Sequence, residues 1–104
     1  MTPYSIVLTT LPDQETARQL ASVILNHHLG ACVQIIGPIE SHYIWEGKAE
    51  QSTEFQLSIK TKEVLYPKLE ELIKTNHPYQ CPEIIQIPIS RGSTDYLNWI
   101  KTTV

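Results

Sequence analysis

Long apolar runs are missing from this chain of 104 residues. Nothing approaches the ~20 consecutive apolar residues of a membrane-spanning helix. The N-terminus, MTPYSIVLTT, has neither a basic region nor an apolar stretch of secretory length. No membrane partner is therefore expected. Basic clusters are missing too. The eight Lys and Arg are scattered among 11 acidic residues, for a formal charge of −3, so nucleic acid would find no electrostatic footprint. Cysteine is scarce. Cys32 and Cys81 form no CxxC pair, and without a leader the expectation is reduced thiols and a cytoplasmic location. There is no GxSxG, no Walker A loop and no GxGxxG. The expectation is a protein that is not an enzyme and carries no organic cofactor.

What is present is a globular composition, 41% hydrophobic and 18% charged. That length predicts one domain, residues 1–104, large enough to bury a core. Its organising stretch is a long hairpin, Ser41 to Thr61, turning at Glu46-Gly47-Lys48. Gly47 supplies the positive φ of a tight reversal. On the returning arm Thr53, Phe55, Leu57 and Ile59 alternate with Glu54, Gln56, Ser58 and Lys60, the period of a strand with one buried face. The outgoing arm begins near Ala31 and is interrupted by a bend or bulge at Gly37-Pro38. Arms of roughly twelve residues at ~3.3 Å each span about 40 Å. The tip, with Tyr43, Ile44 and Trp45, should overhang its own core. A long apolar edge in water invites pairing with another chain.

The remaining elements follow in order. Tyr4 to Thr10 reads as a buried central strand. Asp13 caps a helix with an apolar stripe of Ala17, Leu20, Ala21, Ile24 and Leu25, and Gly30 reads as its C′ glycine. A second helix runs from about Lys62 to Asn76, with Pro67 in its first turn and Leu65, Leu69, Leu72 and Ile73 buried. His77 to Pro82 is an irregular link. Glu83 to Ile89 is a last strand in which Pro88 marks an edge or an end. Ser93 or Thr94 caps a short final helix bearing Tyr96, Leu97, Trp99 and Ile100. The order βαββαβ plus a short C-terminal helix predicts an α+β, ferredoxin-like sandwich with the first and third strands inside its sheet.

Ala31-Cys32-Val33-Gln34, Tyr43-Ile44-Trp45-Glu46-Gly47-Lys48, Lys60-Thr61, His77-Pro78-Tyr79, Pro82-Glu83-Ile84-Ile85 and Asp95-Tyr96-Leu97-x-Trp99 together resemble the CutA divalent-cation tolerance proteins. The resemblance covers essentially the whole chain. It implies a homotrimer with PII-like architecture, long hairpins paired between subunits, and a role in tolerance of copper and other divalent metal ions. In copper-binding members the ligands resemble a Cys where this chain has Thr9 and a His pair where it has Asn76-His77. Only His77 carries over.

Several side chains carry competing readings. His77, with Cys32 and Glu83, is a candidate donor set for Cu²⁺ or another divalent cation. The alternative for His77 is a half-buried, hydrogen-bonded histidine at a subunit boundary. Cys32 is otherwise a small buried hydrophobe or a thiol lining a trimer cavity, and Cys81, which with His77 and Glu83 puts three donors within seven residues, is otherwise incidental. His42 points to solvent from the hairpin. His27 and His28 cap a helix C-terminus. Tyr43, Trp45, Glu46 and Lys48 are candidate oligomer contacts, and Tyr96 and Trp99 read as interface or core anchors. Lys60 and Thr61, before a helix, form a possible anion cleft. They carry the alternative function, a PII-like sensor of a small anionic metabolite; a structural trimeric scaffold is a further alternative.

Overall fold

The computed structural model describes residues 2–104. Strands β1 (Tyr4–Leu11), β2 (Cys32–Trp45), β3 (Lys48–Lys62) and β4 (Ile84–Pro88) form one antiparallel sheet in the order β2-β3-β1-β4. The first and third strands are inside, as the element order predicts. Helices α1 (Gln14–Asn26) and α2 (Tyr66–Asn76) cover one face, and α3 (Thr94–Thr103) follows β4.

The core follows from strand alternation. Val7 and Leu11 of β1 and Leu57 and Ile59 of β3 point to the same face. They pack against Ala17, Leu20 and Ile24 of α1 and Leu69 and Ile73 of α2. Fully burying each Leu or Ile contributes about 1.5–3 kcal/mol. Leu25, expected in the α1 stripe, is exposed instead. The stripe is narrower than predicted, with Ala17, Leu20 and Ile24 as its buried positions. Ile100 of α3 forms a separate small cluster with Tyr4 and Ala31. Alternation puts Tyr4 on the face opposite Val7, so α3 covers a corner of the face that α1 and α2 leave open.

The caps are side-chain oxygens. Asp13 Oδ1 accepts from the amide of Thr16 at 2.8 Å, and Ser93 Oγ from that of Tyr96 at 3.2 Å. Three boundaries differ from expectation. Helix α1 ends at Asn26, with His27 as C-cap and His28 in the left-handed region at φ 56°. Gly30 is thus not its C′ residue. It is needed for close approach: a Cβ there would lie 2.9 Å from a methyl of Ile24 and 2.9 Å from one of Ile59. The second helix does not start near Lys62. Pairing of Lys62 with Tyr4 prolongs β3, a single 3₁₀ turn spans Glu63–Leu65, and α2 begins at Tyr66. Pro67 then falls in the first turn, where its missing N–H costs nothing. Finally, β4 is shorter than predicted and ends at Pro88.

The hairpin makes the molecule 44 Å long against 26 and 23 Å across. Trp45 pairs with Lys48 around a two-residue loop in which both Glu46 (φ 51°) and Gly47 (φ 79°) are left-handed. Two positive φ values are the signature of a type I′ turn, whose twist matches the strands. Lys48 is therefore the first residue of β3 rather than part of the turn. The expected bulge is present: Ile36 pairs with Gln56 but Ile39 with Glu54, so β2 has one extra residue at Gly37-Pro38.

Candidate functional site

That single extra residue decides what the open sheet face carries. A one-residue shift exchanges the two faces of a strand. Before the bulge Cys32, Gln34 and Ile36 stand opposite Lys60, Ser58 and Gln56. Beyond it Ile39, Ser41, Tyr43 and Trp45 stand opposite Glu54, Ser52, Glu50 and Lys48. Tyr43 and Trp45 thus join Glu54 and Ser52 on one face, the one turned away from α1 and α2.

The loop after α2 folds over this face. His77 leaves the helix in extended conformation. Its Nε2–H donates to the carbonyl of Thr10 at 2.9 Å, and its Nδ1 accepts the amide of Tyr79 at 3.1 Å. Those two bonds select the neutral Nε2–H tautomer. Burial holds the imidazole below its ordinary pKa, opposed by the Thr10 carbonyl and the charge of Glu54. The loop then delivers Tyr79, whose ring lies 4.9 Å from that of His77, and whose hydroxyl donates to Glu54 Oε2 at 2.7 Å. Burial, and then the bond to Glu54, raise the Tyr79 hydroxyl above the usual tyrosine range, so it stays a donor.

Between this loop and the hairpin runs a groove of about 860 Å³. Tyr43 and Trp45 line one side, Tyr79, Cys81 and Glu83 the other, with Glu54 among its lining residues. Glu54 is only 8% exposed. The alternation pattern alone places it on the polar side of β3 and gives no hint of burial. The clue lies in the two prolines that hold Tyr79 over the strand.

The sequence-predicted residues are dispersed. His77 and Glu83 belong to the loop, while Cys32 stands on β2 opposite Lys60. Thr10, whose carbonyl holds the His77 ring, pairs with Gln56 while Cys32 pairs with Lys60, so the two positions lie four residues apart along β3, about 13 Å at ~3.3 Å per residue, and on opposite sides of that strand. Among the described residues no three His, Cys, Asp or Glu side chains converge to hold a metal ion. Lys60 and Thr61 fall on opposite faces. The Lys60 ammonium donates to Gln34 Oε1 and Ser58 Oγ, and the fully buried Thr61 hydroxyl donates to the carbonyl of Leu29 at 2.8 Å. The expected helix start beside them is absent, since β3 continues to Lys62. Tyr43, Ile44 and Trp45 are exposed at the tip, Ile44 to 71%. Glu46 and Lys48 do not pair with each other: among the described residues the lysine–carboxylate ion pair is Glu70–Lys74, and Glu40 is hydrogen-bonded to His42. His27 does close α1, its Nδ1 lying 2.9 Å from the carbonyl of Val23. Both cysteines are free, and no described helix is long and apolar enough to cross a membrane.

A family model described as CutA1 divalent ion tolerance protein matches residues 5–103. The chain belongs to that family. Among its relatives is the rice (Oryza sativa) protein CutA 1, chloroplastic, 44% identical over 101 residues, which are 97% of this chain and 57% of the relative. The chain thus spans little more than half of the rice protein's length. The divalent-cation tolerance protein CutA of Escherichia coli is 42% identical over 99 residues, covering 95% of this chain and 88% of the relative. The crystal structure of CutA1 from Oryza sativa superposes with a TM-score of 0.94 at 43% identity, over 98% of this chain and 94% of that one. The divalent cation tolerance protein (Cut A1) of Thermus thermophilus gives a TM-score of 0.93 at 38% identity, over 96% and 97%. The mixed α+β fold with its four-stranded antiparallel sheet is the fold of CutA1 structures, and the family is named for tolerance rather than for a catalysed reaction.

Proposed function

We propose that this chain is a cytoplasmic divalent-cation tolerance protein that works as a homotrimer with PII-like architecture and without catalysis. The observation that carries the assembly is the open face of the sheet. Ile85 and Ile87 of β4 are 46% and 43% exposed, and Ile36, Tyr43, Trp45, Tyr96 and Trp99 are also in water. An apolar surface of that extent on a soluble domain calls for a protein partner. The hairpin adds an unpaired edge, since β2 is the terminal strand of the sheet. A second copy of the chain offers the same edge and the same apolar face, so symmetric self-association uses both.

The role in metal tolerance is supported by the names of the relatives. The donors of one chain do not suit a closed copper site. Cys32 is remote from His77, and both nitrogens of His77 are hydrogen-bonded to backbone. A Cu²⁺ ion taken up by His77 must displace the Tyr79 amide or the Thr10 carbonyl. Contacts from Cys32 and Glu83 would be separate ones. The metabolite-sensor alternative has less support, because Lys60 is already held by two side chains and Thr61 is buried.

The test combines mass and titration. Sedimentation of the wild type should give three subunits, and Ile87→Glu should give a lighter species. A monomeric wild type at micromolar concentration overturns the assembly. Calorimetric titration of the reduced, metal-free protein with Cu²⁺ and Zn²⁺, repeated on His77→Ala, tests the metal. Binding at one ion per subunit that is lost in the variant establishes His77 as a ligand; unchanged binding removes it.

A further inference from the structure

We draw no further inference here: the strongest candidate, the groove between the hairpin and the loop after α2 that Tyr43, Trp45, Glu54 and Tyr79 line, belongs to the open sheet face already assigned to contact with other copies of the chain, and nothing in the structure shows what else covers it.

Discussion

The Tyr79 hydroxyl meets Glu54 Oε2 at 2.7 Å, joining a loop and a strand that lie 25 residues apart in the chain. This bond fixes the wall of the groove. Tyr79→Phe removes it with little change of shape and leaves a buried carboxylate oxygen without its donor. The expected loss is about 1–3 kcal/mol, the cost of an unsatisfied buried polar group. Chemical denaturation at fixed protein concentration measures it, which matters because self-association shifts apparent stability. In the Glu54→Gln background the same substitution should cost less, because a buried amide tolerates the loss better than a charge. Equal costs in both backgrounds would mean that Tyr79 acts through packing alone.

His77 makes stability depend on pH in a defined direction. Its folded pKa lies below the ordinary 6.5, chiefly through burial. The unfolded chain therefore takes up a proton first as pH falls. Stability is complete above about 6.5 and declines as pH drops from there toward the folded value. Protonation also removes the lone pair that accepts the Tyr79 amide, so loop and pH response are linked. Melting temperature measured between pH 7.5 and 5 should fall for the wild type and fall less for His77→Gln. The other three histidines are exposed and form a shared background in both proteins. Identical slopes would exclude His77 as the titrating group.

Gly30 sits where α1 crosses the sheet. A methyl group there would come within 2.9 Å of both Ile24 and Ile59, each fully buried. Gly30→Ala should destabilise by about 1–3 kcal/mol, the usual cost of overpacking. Gly47→Ala meets no neighbour, but φ is +79°. Its cost of roughly 1 kcal/mol would come from backbone strain. Thermal or denaturant melts of the two variants separate steric from conformational demand. An unaffected Gly30→Ala protein would mean that α1 can move away from the sheet.

Much of this architecture is legible in the residues, and what is not has a physical reason. The period of two in β3, the Asp13 and Ser93 caps, the turn at Gly47 and the bulge at Gly37-Pro38 are local features, and each is where local chemistry puts it. Gly30 reads as a cap because two glycine uses, positive φ and close packing, look alike in a sequence; the left-handed residue is His28. The start of α2 lies later than its pattern suggests because Lys62 is held in β3 by pairing with Tyr4, a partner far away in the chain. The groove is the least legible part. It depends on the face exchange at the bulge and on a loop lying over Glu54, and neither can be summed from spacing. The candidate donors His77, Cys32 and Glu83 are individually visible, but their separation is a property of the sheet register.

Thr9 offers the last test. It is fully buried on the helix-covered face, paired with Leu57 and Ile84, and its hydroxyl has no hydrogen-bond partner. An unpaired buried hydroxyl is a standing cost, about 1–3 kcal/mol by mutational measures. Thr9→Val keeps the branched shape that suits a strand and removes that cost. The expected result is a protein of equal stability, or one more stable by about 1 kcal/mol. A clear loss of stability would show that the hydroxyl is satisfied by a buried water. The same variant bears on metal uptake. The Thr9 side chain faces the helices, whereas the His77 ring is tied to the Thr10 carbonyl at the loop. Calorimetric uptake of Cu²⁺ should therefore be the same in Thr9→Val as in the wild type. A drop would place Thr9 within reach of the ion and reopen the helix side of the sheet as a ligand surface.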